Sequence, residues 1–179
     1  MTTRGKGKGG PPPAGTDTPE RESPSAPERD HDHDHESGKV PRATRGGGTV
    51  LIADDDEDTR TALKQVLSDE GYDVIEAVDG AEALEILARA ADGSAPLPDL
   101  VLLDFMMPGF SGLGILRLMR RFVQVPPTVI MTGFPDPSVE TFARSLGALR
   151  VLRKPIFEAE LRATVHQAMM LQGRHGRGA

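Results

Sequence analysis

Five acidic residues in succession, Asp54 to Asp58, follow an apolar run in "VLIADDDED". Carboxylates crowded at the end of a buried strand raise one another's pKa unless something positive sits among them. Other polar residues stand at equivalent places. Asp104 closes the apolar run "LVLLD", Thr132 closes "TVIMT", and Lys154 follows "RVLR" and precedes Pro155. Converging carboxylates from Asp54, Asp55 and Asp104 call for a hard cation, and Mg²⁺, which takes oxygen ligands and keeps several waters, suits them. A lysine and a hydroxyl nearby suit a phosphoryl oxygen. Together these are the parts of a phosphoryl-transfer site, in which a carboxylate can act as nucleophile and form an acyl phosphate. Each residue alone has an ordinary reading. Asp56, Glu57 and Asp58 complement the dipole of a following helix, Asp99 is a solvated turn residue, Thr132 is a strand-end cap and Lys154 a surface lysine. The conjunction decides, because each of the five site residues falls at the carboxyl end of a strand.

The elements that must position them alternate regularly. Short apolar runs at "TVLIA", "DVIEA", "LVLLD", "TVIMT" and "RVLR" read as strands. Between them lie helical stripes: Ala62, Leu63, Val66 and Leu67; Leu84, Leu87, Ala88 and Ala91; Ile115, Leu118, Met119 and Phe122; Val139, Phe142, Ala143 and Leu146. The third helix is expected from about Gly112 to Phe122, and Asp136-Pro137 supplies a cap and first-turn proline for the fourth. A fifth helix is expected from about Glu158 to Met170, carrying Leu161, Val165, Ala168 and Met169. Strands this apolar are buried on both faces, and helical crossovers make them parallel. Right-handed crossovers give an α/β doubly wound sheet, whose ligands bind outside the carboxyl ends of the strands.

The rest of the chain bounds the reading. Of 179 residues, 20 are Gly and 15 Pro, and about half of the prolines lie in residues 1–47 with almost no large aliphatic residue. That segment reads as a disordered tail. Its "HDHDHE" tract, His31 to Glu36, offers alternating imidazoles and carboxylates that can chelate a divalent ion, though a solvated charge run is the simpler reading. Residues 48–172 form the expected domain and 173–179 a short polar tail. The net charge of −6 argues against non-specific nucleic-acid binding. With no Cys there is no disulfide or thiolate chemistry. Neither a membrane span nor a signal peptide is visible, so a cytoplasmic protein is expected.

From about Gly48 to Gly173 the chain resembles the receiver domain of two-component response regulators. The motifs that carry the resemblance are "VLIADDDEDTR", "EGYDVIEAVDGAEALEIL", "PDLVLLDFMMPGFSG", "VIMTG" and "LRKP". It implies a flavodoxin-like strand order of 2-1-3-4-5. It also implies that Asp104 accepts a phosphoryl group from a histidine kinase, and that Asp54, Asp55, Asp104 and the backbone carbonyl of Met106 serve an Mg²⁺ ion, with Asp55 a direct ligand. Thr132 matches the switch hydroxyl and Lys154 the lysine that pairs with the phosphoryl group, before a cis proline. Two features depart from the family pattern. Val151 stands where the switch aromatic belongs, and the loop from Gly133 to Pro137 is rich in proline.

Such a domain modifies only itself, so it is not expected to be an enzyme in the turnover sense. With no evident output domain, it reads as a stand-alone receiver. Its partners would be a sensor histidine kinase or histidine phosphotransfer protein and a downstream target, docked where Arg144, Arg150 and Arg153 supply positive charge. The alternative is an interaction module of the same fold that uses no phosphoryl group. A haloacid-dehalogenase-type phosphatase is disfavoured because the acidic pair comes first. A calcium loop from Asp54 fails because Thr59 and Gln65 occupy its required Gly and Glu positions.

Overall fold

The computed structural model describes residues 47–134 and 136–175. The expected amino-terminal tail with its His31–Glu36 tract, apart from Gly47, lies outside the described residues. Five strands alternate with five helices: β1 (Thr49–Ala53), α1 (Glu57–Asp69), β2 (Asp73–Ala77), α2 (Gly80–Ala91), β3 (Leu100–Asp104), α3 (Gly112–Met119), β4 (Thr128–Thr132), α4 (Pro137–Ser145), β5 (Arg150–Arg153) and α5 (Glu158–His175). All strand pairs are parallel, in the order β2-β1-β3-β4-β5. The five strands fall on the expected segments, and the order is the one that the resemblance implies.

Every residue of β3 and β4 is buried, as strands covered on both faces require. Alternate side chains feed two cores. Val50, Ile52, Leu100 and Leu102 pack with Leu63 and Leu67 of α1 and Leu161, Val165 and Ala168 of α5. Leu51, Val101 and Leu103 pack with Leu87 of α2, Ile115 and Met119 of α3, and Ala143 of α4. Side-chain caps start the helices. Asp56 accepts from Thr59 N–H at 2.6 Å and Asp79 from Ala81 N–H at 2.8 Å. Asp136 accepts from Ser138 N–H at 2.8 Å, with Pro137 opening α4. These bonds satisfy donors that the helix itself leaves unpaired.

Several helix faces differ from the expected stripes. In α1 the inward residues are Arg60, Leu63 and Leu67, and Ala62 is exposed. In α2 they are Gly80, Ala83 and Leu87, with Leu84 partly buried and Ala88 and Ala91 exposed. Alanine buries so little area that its hydropathy does not fix which way it faces. Phe142 of α4 is 53% exposed, although Ala143 beside it is fully buried. The third helix stops at Met119, because Arg121 and Phe122 bond back three residues, to Leu118 and Met119, in tighter turns. The fifth runs past Met170 to His175, so the expected tail begins as helix. Gln172 Nε2 donates to Asp99 O at 3.4 Å, anchoring this last stretch.

Candidate functional site

The carboxyl ends of β1, β3, β4 and β5 converge on one acidic pit. Asp54 follows β1 directly and is fully buried, with its N–H bonded to Ala77 O at 3.3 Å. Its Oδ1 accepts from Asp56 N–H at 3.1 Å, which folds the side chain back over the strand end. Asp104 is the last residue of β3, and its Oδ2 accepts from Met106 N–H at 2.7 Å. Lys154 Nζ lies between the two acids, 2.6 Å from Asp54 Oδ2 and 2.5 Å from Asp104 Oδ1. Its own N–H bonds Thr132 O at 2.8 Å, so β4 and β5 together aim the ammonium. The Lys154-Pro155 bond is cis, as the resemblance implies.

Asp55 is exposed at the mouth, and one oxygen from each of Asp54, Asp55 and Asp104 lies within 4.8 Å of the others. Asp54 Oδ2 is sealed from solvent, and among the described residues the Lys154 ammonium, 2.6 Å away, is what answers it. Three carboxylates therefore face one ammonium, a deficit of positive charge that suits a divalent cation with oxygen ligands. The carbonyl of Met106 accepts no hydrogen bond from the described residues, which leaves it free for such an ion. Thr132 is buried at the end of β4, and its Oγ1 accepts from Phe134 N–H at 3.0 Å.

Charge balance sets the ionisation of the pit. Burial pushes the Asp104 carboxyl above its usual pKa; Lys154 pulls the other way, and the Asp54 charge adds to the rise. Burial also opposes the Lys154 ammonium, but its contacts with Asp104 and Asp54 outweigh this and hold its pKa above the ordinary lysine value. The pit is a poor place for an unneutralised carboxylate and a good one for a cation.

Thus Asp54, Asp55, Asp104 and Lys154 come together, with Thr132 on the adjoining strand end. Asp56 caps α1, with Glu57 and Asp58 in its first turn, in keeping with their dipole role. Asp99 is more than a solvated turn residue. Its Oδ2 accepts from Thr49 N–H and its own N–H reaches Thr49 O, both at 2.8 Å, tying the start of β3 to β1. Of the three arginines expected to form a positive face, Arg144 pairs with Glu140 at 3.1 Å and Arg150 with Glu160 at 3.8 Å. Val151 sits partly buried against the core. Sequence reasoning passed over Arg60 and Glu76, a cation and an anion on elements that otherwise turn apolar residues inward.

A parallel doubly wound sheet with an acid-and-lysine pit outside its carboxyl edge defines the class. The response regulator receiver domain model matches residues 50–166, and the chain belongs to that family. It is 33% identical over 123 residues to sporulation initiation phosphotransferase F of Bacillus subtilis, covering 69% of this chain and 94% of that protein. It is 36% identical over 116 residues to the transcriptional regulatory protein CpxR of Escherichia coli K12, covering 65% of this chain. The chain spans only 47% of the length of that regulator. A response regulator receiver domain protein from Clostridium thermocellum superposes with a TM-score of 0.64 at 27% identity, over 70% of this chain and 97% of that one.

Proposed function

We propose that the chain is a response regulator receiver in which Asp104 accepts a phosphoryl group from a histidine kinase or a histidine phosphotransfer protein. One observation carries this reading: Lys154 Nζ bridges Asp54 and Asp104 within a pit of three converging carboxylates. The Asp104 carboxylate attacks phosphorus, the P–N bond to the donor imidazole breaks as the O–P bond forms, and the imidazole keeps that electron pair. Asp54, Asp55, Asp104 and the Met106 carbonyl would hold Mg²⁺, which when bound neutralises charge on the transferring group. Lys154 exchanges one carboxylate oxygen for a phosphoryl oxygen, and Thr132 offers a hydroxyl to another.

On this reading the protein modifies only its own Asp104 and acts as a switch rather than as a turnover enzyme. Its output is docking on a target or onward transfer to another histidine. A cytoplasmic location fits this partnership, and among the described residues no helix is long and apolar enough to cross a membrane. The test is phosphotransfer from the host's purified, phosphorylated histidine kinases. At least one should label the wild type within minutes and leave Asp104→Asn unlabelled. Equal failure with every kinase would favour the interaction module that uses no phosphoryl group.

A further inference from the structure

Arg60 breaks the pattern of the helix that carries it. It heads the inward stripe of α1, ahead of Leu63 and Leu67, and is itself buried. Glu76 breaks the pattern of the facing strand. Val74 packs into the core shared with α1, and Glu76, two residues on, points the same way. Buried charges are uncommon, and Arg60 is buried while Glu76 is only partly so, which raises the question of what the guanidinium does there. The two are partners: Arg60 Nε lies 3.7 Å from Glu76 Oε2, too far for a hydrogen bond. Lys64 holds the other carboxylate oxygen of Glu76.

The use appears at the far end of the guanidinium. Arg60 Nη1 donates to the main-chain carbonyl of Asp54 at 2.8 Å, in a buried bond. That carbonyl sits between the Asp54 side chain, committed to the pit, and Asp55, exposed at its mouth. We propose that Arg60, braced by Glu76, is a positioning residue for the acidic pair. It pins the turn between β1 and α1 so that Asp54 and Asp55 present their carboxylates to a divalent cation already arranged. The proposal rests on reading the three acids as an Mg²⁺ site.

A purely electrostatic role would have the opposite sign, because deleting a positive charge beside a cation site tightens cation binding. Mg²⁺ affinity therefore separates the two. Isothermal titration of the full chain at fixed ionic strength should show binding weakened about ten-fold or more in both Arg60→Lys and Arg60→Met, the usual range for groups that orient metal ligands. Glu76→Gln should also weaken it, by less, but loss of its negative charge alone has that sign, so the Arg60 variants carry the test. Phosphorylation of Arg60→Lys by acetyl phosphate should recover as Mg²⁺ is raised, which a merely structural defect would not do. If Arg60→Met fails to fold by circular dichroism, Arg60→Lys, which keeps the charge, decides. Unchanged affinity in Arg60→Lys, or tighter binding in Arg60→Met, overturns the proposal while leaving the Mg²⁺ site intact. A wild type that binds no Mg²⁺ overturns both.

Discussion

Met106 and Phe134 stand two positions beyond Asp104 and Thr132, and they are 57% and 58% exposed. In receivers, side chains at these places flank the path of the water that hydrolyses the aspartyl phosphate. Neither side chain offers a strong hydrogen-bonding group to a water, and Phe134 instead sets its ring edge-on to Phe105 at 6.3 Å. Hydrolysis needs that water in line with the phosphorus. Losing one well-placed contact costs about 1–3 kcal/mol of barrier, roughly ten- to a hundred-fold in rate. A long-lived phosphorylated state is expected. Following phosphate loss in Met106→Asn with Phe134→Glu should show faster decay without comparably slower phosphorylation. Wild-type decay within seconds, or no acceleration in the double variant, would refute this account. A second residue-scale effect concerns Asp104 in the absence of Mg²⁺. Its pKa is raised on folding, so the stability it contributes is present at low pH and lost as pH rises through the folded value. Asp104→Asn, which cannot ionise, should therefore melt a few degrees higher than wild type at neutral pH. Lys154 keeps Asp54 as a partner in that variant. The advantage should fade as the pH of the melting experiment falls below the raised pKa; an advantage independent of pH would contradict the assignment to charge burial.

Between residue and molecule, the turns that follow the strands do the positioning. A Cβ on Gly112 would lie 2.3 Å from the Asp104 carbonyl oxygen, so only glycine lets α3 start this close to the end of β3. Gly112→Ala should cost about 1–3 kcal/mol by overpacking, read from urea or thermal unfolding. It should also weaken Mg²⁺ binding, since the displaced backbone belongs to Asp104. Gly133→Ala, which meets nothing within 4 Å, should stay within about 0.5 kcal/mol of wild type. Equal costs for the two would mean that the close approach is not what matters. At this scale the strands were legible and the helix faces only partly so. Continuous runs such as "LVLLD" admit one reading once they alternate with helices. A stripe containing Ala62, Ala88 or Ala91 does not, because small side chains weigh little on either face. Phe142 shows the converse, since a large apolar side chain can remain at the surface while its neighbour fills the core. Arg60 and Glu76 were invisible for a physical reason. Each looks like a surface residue by itself, and only the fold brings the Arg60 guanidinium to the buried Asp54 carbonyl with the Glu76 carboxylate beside it.

At the scale of the molecule, the fold turns residues up to 100 positions apart, from Asp54 to Lys154, into one pit. Parallel strands send all their carboxyl ends to the same edge, and β1, β3, β4 and β5 are consecutive neighbours there. This is why the site could be assembled from strand ends in the sequence, and why the balance of charge within it could not: that balance depends on where Lys154 Nζ comes to rest. The central claim is that Asp104 is the group that takes the phosphoryl. It is tested most directly by treating the full chain with acetyl phosphate and Mg²⁺, trapping the acyl phosphate with borohydride and mapping the product by tandem mass spectrometry. Reduction should convert Asp104, and no other carboxylate, to homoserine, and should do so only when both reagents were present. Homoserine at Asp54 or Asp55 instead, or none anywhere after prolonged exposure, would contradict the account.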